Sequence, residues 1–345
     1  MNRNGLQWCV DHRKEIAGWL EESARNHNWL TRLAVNVLPG MVHDACLDMI
    51  HEALELAGYV DDSRIAIITT HWNPSGFVKP VETYHRWRAT IQRKIYVMEV
   101  VYRGRSSEIP FAWHLQGDTD SILWQKERLI NLAVRSLPKQ VKWVAWVDHD
   151  LLFENPQWIE QAVVRLASGL NAVQLFDEVI YTDRDGNHAE TRPGAAAMLA
   201  KGLEPDAAPG GAWMASREWL EGIGGLYDRN VCGGGDATFF QAVTGFHTRY
   251  LARQTPALRE DCLRYVDRVG GAKWGFVPGS VKHIWHGDKS NRQYVSRDAI
   301  LDAWKFDPSN HLADRPNRLL CWSKKAPEGL RRSVAEYFHN RREDG

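Results

Sequence analysis

Val141 to Asn155 reads VKWVAWVDHDLLFEN, and it carries two carboxylates, Asp148 and Asp150, at the end of an apolar run. Val141, Trp143, Val144, Ala145, Trp146 and Val147 have the composition of a strand buried on both faces of a parallel sheet. Open α/β sheets bind their ligands at the carboxyl ends of such strands. An aspartate beside a desolvated strand needs a counter-charge or a hydrogen bond. A divalent cation supplies one, and hard carboxylate oxygens suit magnesium or manganese with positions left open for phosphate oxygens. The alternative is a pair of turn aspartates, one capping a helix or pairing with a surface cation. Spacing alone leaves both readings open.

Three further stretches carry candidate chemistry. VKHIWHGDKSNRQY sets His283 and His286 three residues apart, on one side of a turn, an arrangement that suits a borderline ion such as manganese. Either histidine alone is more often a packing or surface residue. VCGGGDATFFQAVTG puts Asp236 after three glycines at the start of a short helix that Gly245 ends. Its carboxylate reads as a helix cap or as a base exposed to substrate, and the two are compatible, since a capped carboxylate stays ionised. PGGAWMASREWLEGIGGLYD places Gly210 and Gly211 before a buried-looking run, allowing close backbone approach, with a helix from Ser216.

The elements that must position these groups alternate between strand and helix. RIAIITT reads as a buried strand and HWNPSG as the loop after it. A helix is expected over Val81 to Gln92, a strand over KIYVMEVVY, and a helix over Trp124 to Leu137 that Pro138 ends. After the central strand, Asn155 caps a helix with Pro156 first and Trp158, Ile159, Ala162, Val163 and Leu166 on one face. NAVQLFDEVIYTD is a further strand or hairpin arm, with a turn signal in DRDGN. The alternation predicts an α/β fold with a mostly parallel, Rossmann-like sheet and helices on both faces. Residues 1–63 read as a helical N-terminal extension, in which His43 and His51 are packing or surface residues, and the Ala-, Gly- and Pro-rich stretch Ala189 to Gly211 reads as a mobile loop.

The 345 residues allow one large α/β domain or two smaller ones. Basic and acidic residues balance at 43 each, so overall charge points to neither nucleic acid nor membrane. Two locally basic segments, Lys79 to Arg105 and Arg315 to Arg342, read as solvated faces. Five cysteines, widely spaced and without a CxxC pair, predict free thiols in a reducing compartment. No apolar signal core opens the chain and no window approaches the ~18 apolar residues of a membrane span, so a cytoplasmic protein is expected. Most of the 16 tryptophans belong to the core, with a few available as flat surfaces for sugars or bases.

The order and spacing of these pieces resemble the GT-A glycosyltransferases, most closely the beta-1,4-galactosyltransferase group and its polypeptide N-acetylgalactosaminyltransferase relatives. AIITTHWNP resembles the family's first strand and Pro-Phe-Arg-Asn-Arg loop, and WQKERLIN its Phe-Asn-Arg-Ala-Lys-Leu-Leu-Asn helix. WVDHDLL is similar to the Asp-x-Asp strand end, GGAWMAS to Gly-Gly-x-x-x-x-Ser, and GGGD to the Gly-Gly-Glu-Asp loop. HIWHGDKSN is similar to the Met-Ile-Arg-His metal element with its Ser-Arg-Asp-Lys-Lys-Asn continuation. The likeness runs from about Arg64 to Ile300. It departs in the first loop, where Trp72 and Pro74 replace two arginines, in Lys126 for a later arginine, and in the single carboxylate Asp236 of the acidic loop.

The resemblance implies a GT-A domain over residues 64–310, with a helix-bearing tail over 311–345. It implies a metal-dependent hexosyltransferase acting on a nucleotide-diphosphate sugar, with uridine as the expected base. Asp150, His283 and His286 would hold manganese or magnesium; Thr70, His71, Trp72, Asn73, Lys126, Asp148, Gly210 and Gly211 would bind the donor. Asp236 would be the catalytic base, and inversion at the anomeric carbon follows from that role. A loop within Ala189 to Gly211, or one around Gly287 to Gln293, would close over the donor. The hydroxyl acceptor is a saccharide or glycan precursor, with a hydroxymethylated base in DNA as the second option. The competing readings are a sugar-binding module without turnover, and a metal-dependent phosphohydrolase or nucleotidyltransferase.

Overall fold

The structure, a computed structural model, describes residues 61–205, 207–293, 296–313 and 318–345. The helical extension expected over 1–63 lies outside them except for its last three residues. There Asp61 caps a single 3-10 turn, Asp62–Arg64, that leads into the sheet.

Eleven strands and eleven helices follow among the described residues. In chain order they are β1 (Ile65–Trp72), α1 (Lys79–Arg88), β2 (Ile95–Tyr102), β3 (Trp113–Gly117), α2 (Lys126–Ser136), β4 (Trp143–Val147), β5 (Leu151–Phe153) and α3 (Trp158–Ala167). Next come β6 (Ala172–Gln174), β7 (Glu178–Thr182), β8 (His188–Pro193), α4 (Ala195–Ala200), β9 (Ala212–Ser216), α5 (Arg217–Gly222), α6 (Gly235–Thr244), α7 (Arg249–Ala252) and α8 (Pro256–Val269). The last are β10 (Trp274–Phe276), β11 (Ser280–His283), α9 (Ser296–Ala303), α10 (Pro308–His311) and α11 (Glu328–Asn340).

Seven strands form the main sheet in the order β10-β6-β9-β4-β1-β2-β3. All its pairings are parallel except the two made by β9, antiparallel to β4 and β6. Residues of β1 and β4 alternate between two cores, as the period of a strand requires. Ala66, Ile68, Val144 and Trp146 pack with α2 and α6, while Ile65, Ile67, Trp143, Ala145 and Val147 pack with α1 and α3 on the opposite face. The expected Rossmann-like sheet with helices on both faces is the one observed. Each fully buried aliphatic side chain contributes ~1.5–3 kcal/mol. The apolar runs that made β1 and β4 legible are therefore also what fixes them at the centre.

A smaller sheet, β5-β11-β7-β8, stands against the carboxyl ends of the main strands. β11 pairs antiparallel with β5 and parallel with β7, and β7 and β8 form a hairpin across the DRDGN turn. NAVQLFDEVIYTD is thus two strands in two sheets, divided at the buried Leu175 and Phe176.

Several boundaries differ from expectation for identifiable reasons. The helix beginning after Asn155 starts at Trp158, because the Asn155 carboxamide accepts from Gln157 N (2.9 Å) and donates to Pro278 O (2.8 Å), holding a turn before the helix. α1 begins two residues early, with a proline in its first turn, and stops at Arg88. The stretch Ala189 to Gly211, read as a mobile loop, instead contains most of β8 and all of α4, with Ala195, Ala196 and Ala197 buried. Its small residues allow close packing: a Cβ on Gly194 would lie 3.1 Å from Phe176 O. No helix among the described residues is long and apolar enough to cross a membrane.

Candidate functional site

β1 and β4 are neighbours, so the residues leaving their carboxyl ends face one cleft of about 1130 Å³. β1 extends to Trp72, two residues beyond the expected strand, and so Thr70 and His71 are strand residues at the cleft's edge. Asn73 shapes the loop that follows: its carboxamide accepts from Phe77 N (2.9 Å) and donates to Phe77 O (2.7 Å). Glu108 reaches across from the β2–β3 connection to His71 Nε2 (2.6 Å) and Asn73 Nδ2 (3.0 Å). Glu108 is itself held by Glu99, which accepts from Glu108 N (2.6 Å), Ser107 Oγ (2.8 Å) and Ile109 N (3.3 Å). His71, Glu99 and Glu108 are close enough to hold an ion, but these oxygens are committed to bracing the loop.

α2 points its first turn at the cleft, and three charged residues there, Lys126, Glu127 and Arg128, are buried. Lys126 Nζ lies 2.7 Å from Asp148 and 3.1 Å from Asp236, tying the end of β4 to the start of α6. Its ammonium is held above the usual lysine range: burial works against the charge, and Asp148, Asp236 and Glu127 outweigh burial. Asp148 is raised too: burial raises its carboxyl, Lys126 opposes the rise, and the charges of Asp236 and Asp150 add to it. Glu127 is raised as well, by burial and by Asp236. One Glu127 oxygen accepts from Trp124 Nε1 (2.9 Å), and the other is buried without a partner.

Asp236 is in the first turn of α6 but does not cap it; Gly234, in the left-handed region at φ 102°, is the cap residue. Gly210 lies so near Asp236 that a Cβ there would fall 2.2 Å from the carboxyl carbon. Gly211, at φ 89°, accepts from Asp148 N (2.8 Å) through its carbonyl. The two glycines thus let the β9 approach pass between Asp148 and Asp236.

The second sheet completes the site. Pairing of β5 with β11 brings His283 to Asp150, and Ile284 N donates to Asp150 O (2.8 Å). Asp150, His283 and His286 offer ligand atoms within 4.8 Å of one another. Asp150 Oδ2 lies 2.8 Å from His286 Nε2 and 3.4 Å from His283 Nε2, and the two imidazoles stack at 5.3 Å. His286 Nε2 also lies 2.6 Å from Arg292 Nη2. That nitrogen faces an acceptor on one side and a donor on the other, so no tautomer satisfies both.

The protonation states suit a cation. Burial pushes the His283 imidazole down to about 3 against the pull of Asp150, which keeps it neutral. Asp150 is held well below the carboxylate range: burial opposes this, and His283, His286 and Arg292 outweigh it. A neutral imidazole and an ionised carboxylate are the forms that ligate. Two nitrogens and one oxygen form a borderline donor set, so the residues present fit manganese.

His149, the middle residue of the aspartate pair, lines the cleft with its ring 5.8 Å from His71 and 5.9 Å from Tyr84. Burial pushes it down to about 4, and its Nδ1 has no hydrogen-bond partner. Sequence reasoning passed over His149, Glu108 and Glu127, although Glu127 adjoins Lys126 and was within reach. It also read Arg315 to Arg342 as a solvated face. Arg341 contradicts that reading: it lines the cleft, with its guanidinium 5.4 Å above Trp124 and hydrogen-bonded to the Tyr337 hydroxyl.

No family model matches the chain, and no curated protein matches it. Among solved structures it is similar to the catalytic domain of Drosophila beta1,4-galactosyltransferase 7 in complex with xylobiose, with 13% identity over 51% of this chain and a TM-score of 0.30. It spans 58% of that chain, little more than half its length. It is also similar to glucosyl-3-phosphoglycerate synthase from Mycobacterium tuberculosis, with 12% identity, 80% of this chain, 88% of that one and a TM-score of 0.36. A mannosyltransferase from Pyrobaculum calidifontis, in complex with GDP-Man and Mn2+, gives 13% identity, 86% of this chain, 80% of that one and a TM-score of 0.38. At such scores, function has to be read from the site's own residues.

Proposed function

We propose that the protein is a metal-dependent glycosyltransferase that moves a hexose from a nucleotide-diphosphate sugar to an acceptor hydroxyl. One observation carries the reading: a cation-ready triad, Asp150, His283 and His286, and a carboxylate pair bridged by a buried lysine, Asp148–Lys126–Asp236, open into the same cleft. The volume of about 1130 Å³ suits a nucleotide sugar and part of an acceptor.

When bound by the triad, manganese or magnesium would supply Lewis-acid neutralisation of charge on a departing diphosphate. The chain's residues do the rest. Thr70, His71, Trp72 and Asn73, with His149 beside them, wall the pocket for the base, for which uridine is the expectation. Gly210 and Gly211 let the backbone run against Asp236 and Leu151 at the cleft wall, where the sugar would lie beside the base. Asp236 takes the proton from the attacking hydroxyl, on the far side of the anomeric carbon from the diphosphate, so the product is inverted. Lys126 holds Asp236 and Asp148 in register, and the hydrogen bonds it makes to them orient the base before substrate arrives. The acceptor is a saccharide or glycan precursor. A cytoplasmic location accords with this substrate class.

Calorimetry with manganese across uridine, guanosine and thymidine diphosphate sugars tests the donor. One class is expected to bind, with uridine ahead, and chelation is expected to abolish that binding. Asp236→Asn should still bind the donor and lose turnover by at least ~100-fold. Absence of binding by every nucleotide sugar overturns the assignment; undiminished turnover in Asp236→Asn moves the base elsewhere.

A further inference from the structure

The last five residues close one side of the cleft. Arg342 O and the Glu343 backbone lie over Gly287, where a Cβ would meet them at 2.8 and 3.0 Å. Asp344 Oδ1 accepts from Lys79 N at the start of α1 (2.7 Å), and Gly345 rests against Trp285. Inside this strap the Glu343 carboxylate faces the cleft, 15% exposed, and is gripped by Arg341 through Nε (2.7 Å) and Nη2 (2.5 Å). Both N–H groups converge on one carboxylate oxygen, Oε1, and the same two donors can take a phosphate oxygen in its place. Arg292, also on the cleft wall, lies against His286 of the triad. The field there is cationic: burial alone would raise Glu343, yet Arg341, His286 and Arg292 bring its carboxyl below the usual range.

Other cations on the cleft wall have their own partners: Lys126 is engaged by Asp148 and Asp236, Arg253 by Asp298, Arg192 by Glu190, Arg184 lies over the Trp285 ring and Arg297 reaches the Tyr337 hydroxyl. We propose that Arg341 and Arg292 form a phosphate subsite beside the metal triad, and that the Glu343 carboxylate fills it until a ligand phosphate takes its place. The inference deepens the glycosyltransferase reading and rests on it for the location of the diphosphate. The phosphate belongs to the donor or to a phosphorylated acceptor, and the same contacts recognise either.

The test is calorimetry on the full chain, in manganese, with uridine diphosphate, uridine and inorganic phosphate as separate probes. Glu343→Gln removes the competing charge and keeps the side chain's shape. The expected result is about fivefold tighter binding of uridine diphosphate, with uridine unchanged, and weakening of about tenfold or more in Arg341→Gln. If inorganic phosphate tightens in Glu343→Gln while uridine diphosphate does not, the subsite serves a phosphate other than the donor's. Loosening of a merely structural ion pair would weaken binding in both variants, so tightening in Glu343→Gln together with weakening in Arg341→Gln separates the two roles. Unchanged affinity for both phosphate probes in Glu343→Gln, with the thermal midpoint within a few degrees of wild type, overturns the subsite. Failure of the wild-type chain to bind uridine diphosphate while inorganic phosphate still tightens in Glu343→Gln overturns the donor reading and leaves the subsite standing.

Discussion

Lys126 is the residue on which the cleft's electrostatics turn. It is 4% exposed and places one positive charge between Asp148 and Asp236, with Glu127 adjacent in the chain. Removing one partner from a buried ionic cluster leaves uncompensated charge, so Lys126→Met is expected to cost about 3 kcal/mol in denaturant unfolding at pH 8. As pH falls through about 7 Asp148 takes up a proton, and that loss should shrink. Glu127 gives a pH signature of opposite origin. Its folded carboxyl is raised to about 8 from the ordinary range, so its protonated form stabilises the fold fully at low pH. That stability is lost as pH rises from the ordinary carboxylate range through about 8. Glu127→Gln should therefore flatten the decline in stability between pH 5 and 9, by on the order of 1–3 kcal/mol at the upper end. An unaltered pH profile would show that Glu127 is ionised throughout.

At the scale of elements, β4 and β9 bring Asp148 and the two glycines together, and α6 brings Asp236 to meet them. Gly210→Ala would drive a Cβ to within 2.2 Å of the Asp236 carboxyl carbon. A displacement of about 1 Å costs ~100-fold in rate, so that loss is expected in turnover, with little change in unfolding midpoint. Gly222→Ala, where an added Cβ meets nothing within 4 Å, serves as the silent control. The central strands were legible because burial on both faces leaves only apolar residues available: Ile65 to Ile68 and Trp143 to Val147 read as strands on composition alone. Ala189 to Gly211 was not, since small residues that permit tight packing resemble those that permit motion. Asn155 misled by two residues because its side chain bonds to Pro278 O, a partner invisible locally. The same blindness hid Arg341 and Glu343, which meet the cleft only after α11 has packed Leu330, Val334, Tyr337 and Phe338 into the core. Spacing suggested His283 and His286, but only the pairing of β11 with β5 sets them beside Asp150.

For the molecule as a whole, balanced charge argues for a small, discrete substrate. The basic stretches are neutralised in part internally: Lys79 pairs with Glu82, Arg93 with Asp62 and Glu160, Arg331 with Asp120 and Arg341 with Glu343. Duplex DNA should therefore show no measurable retention in fluorescence anisotropy at about 150 mM salt. Tight, steeply salt-dependent binding would instead favour a modified base as acceptor. The two sheets bear on how the chain matures. Asp150 and His286 are 136 residues apart in sequence, and they meet only when β5 and β11 join in the second sheet. Closing so long a loop must precede any benefit from the contact. An ion held by the triad would accordingly not seed folding. It would arrive as a late passenger, so refolding in chelator should run at the same speed as in manganese.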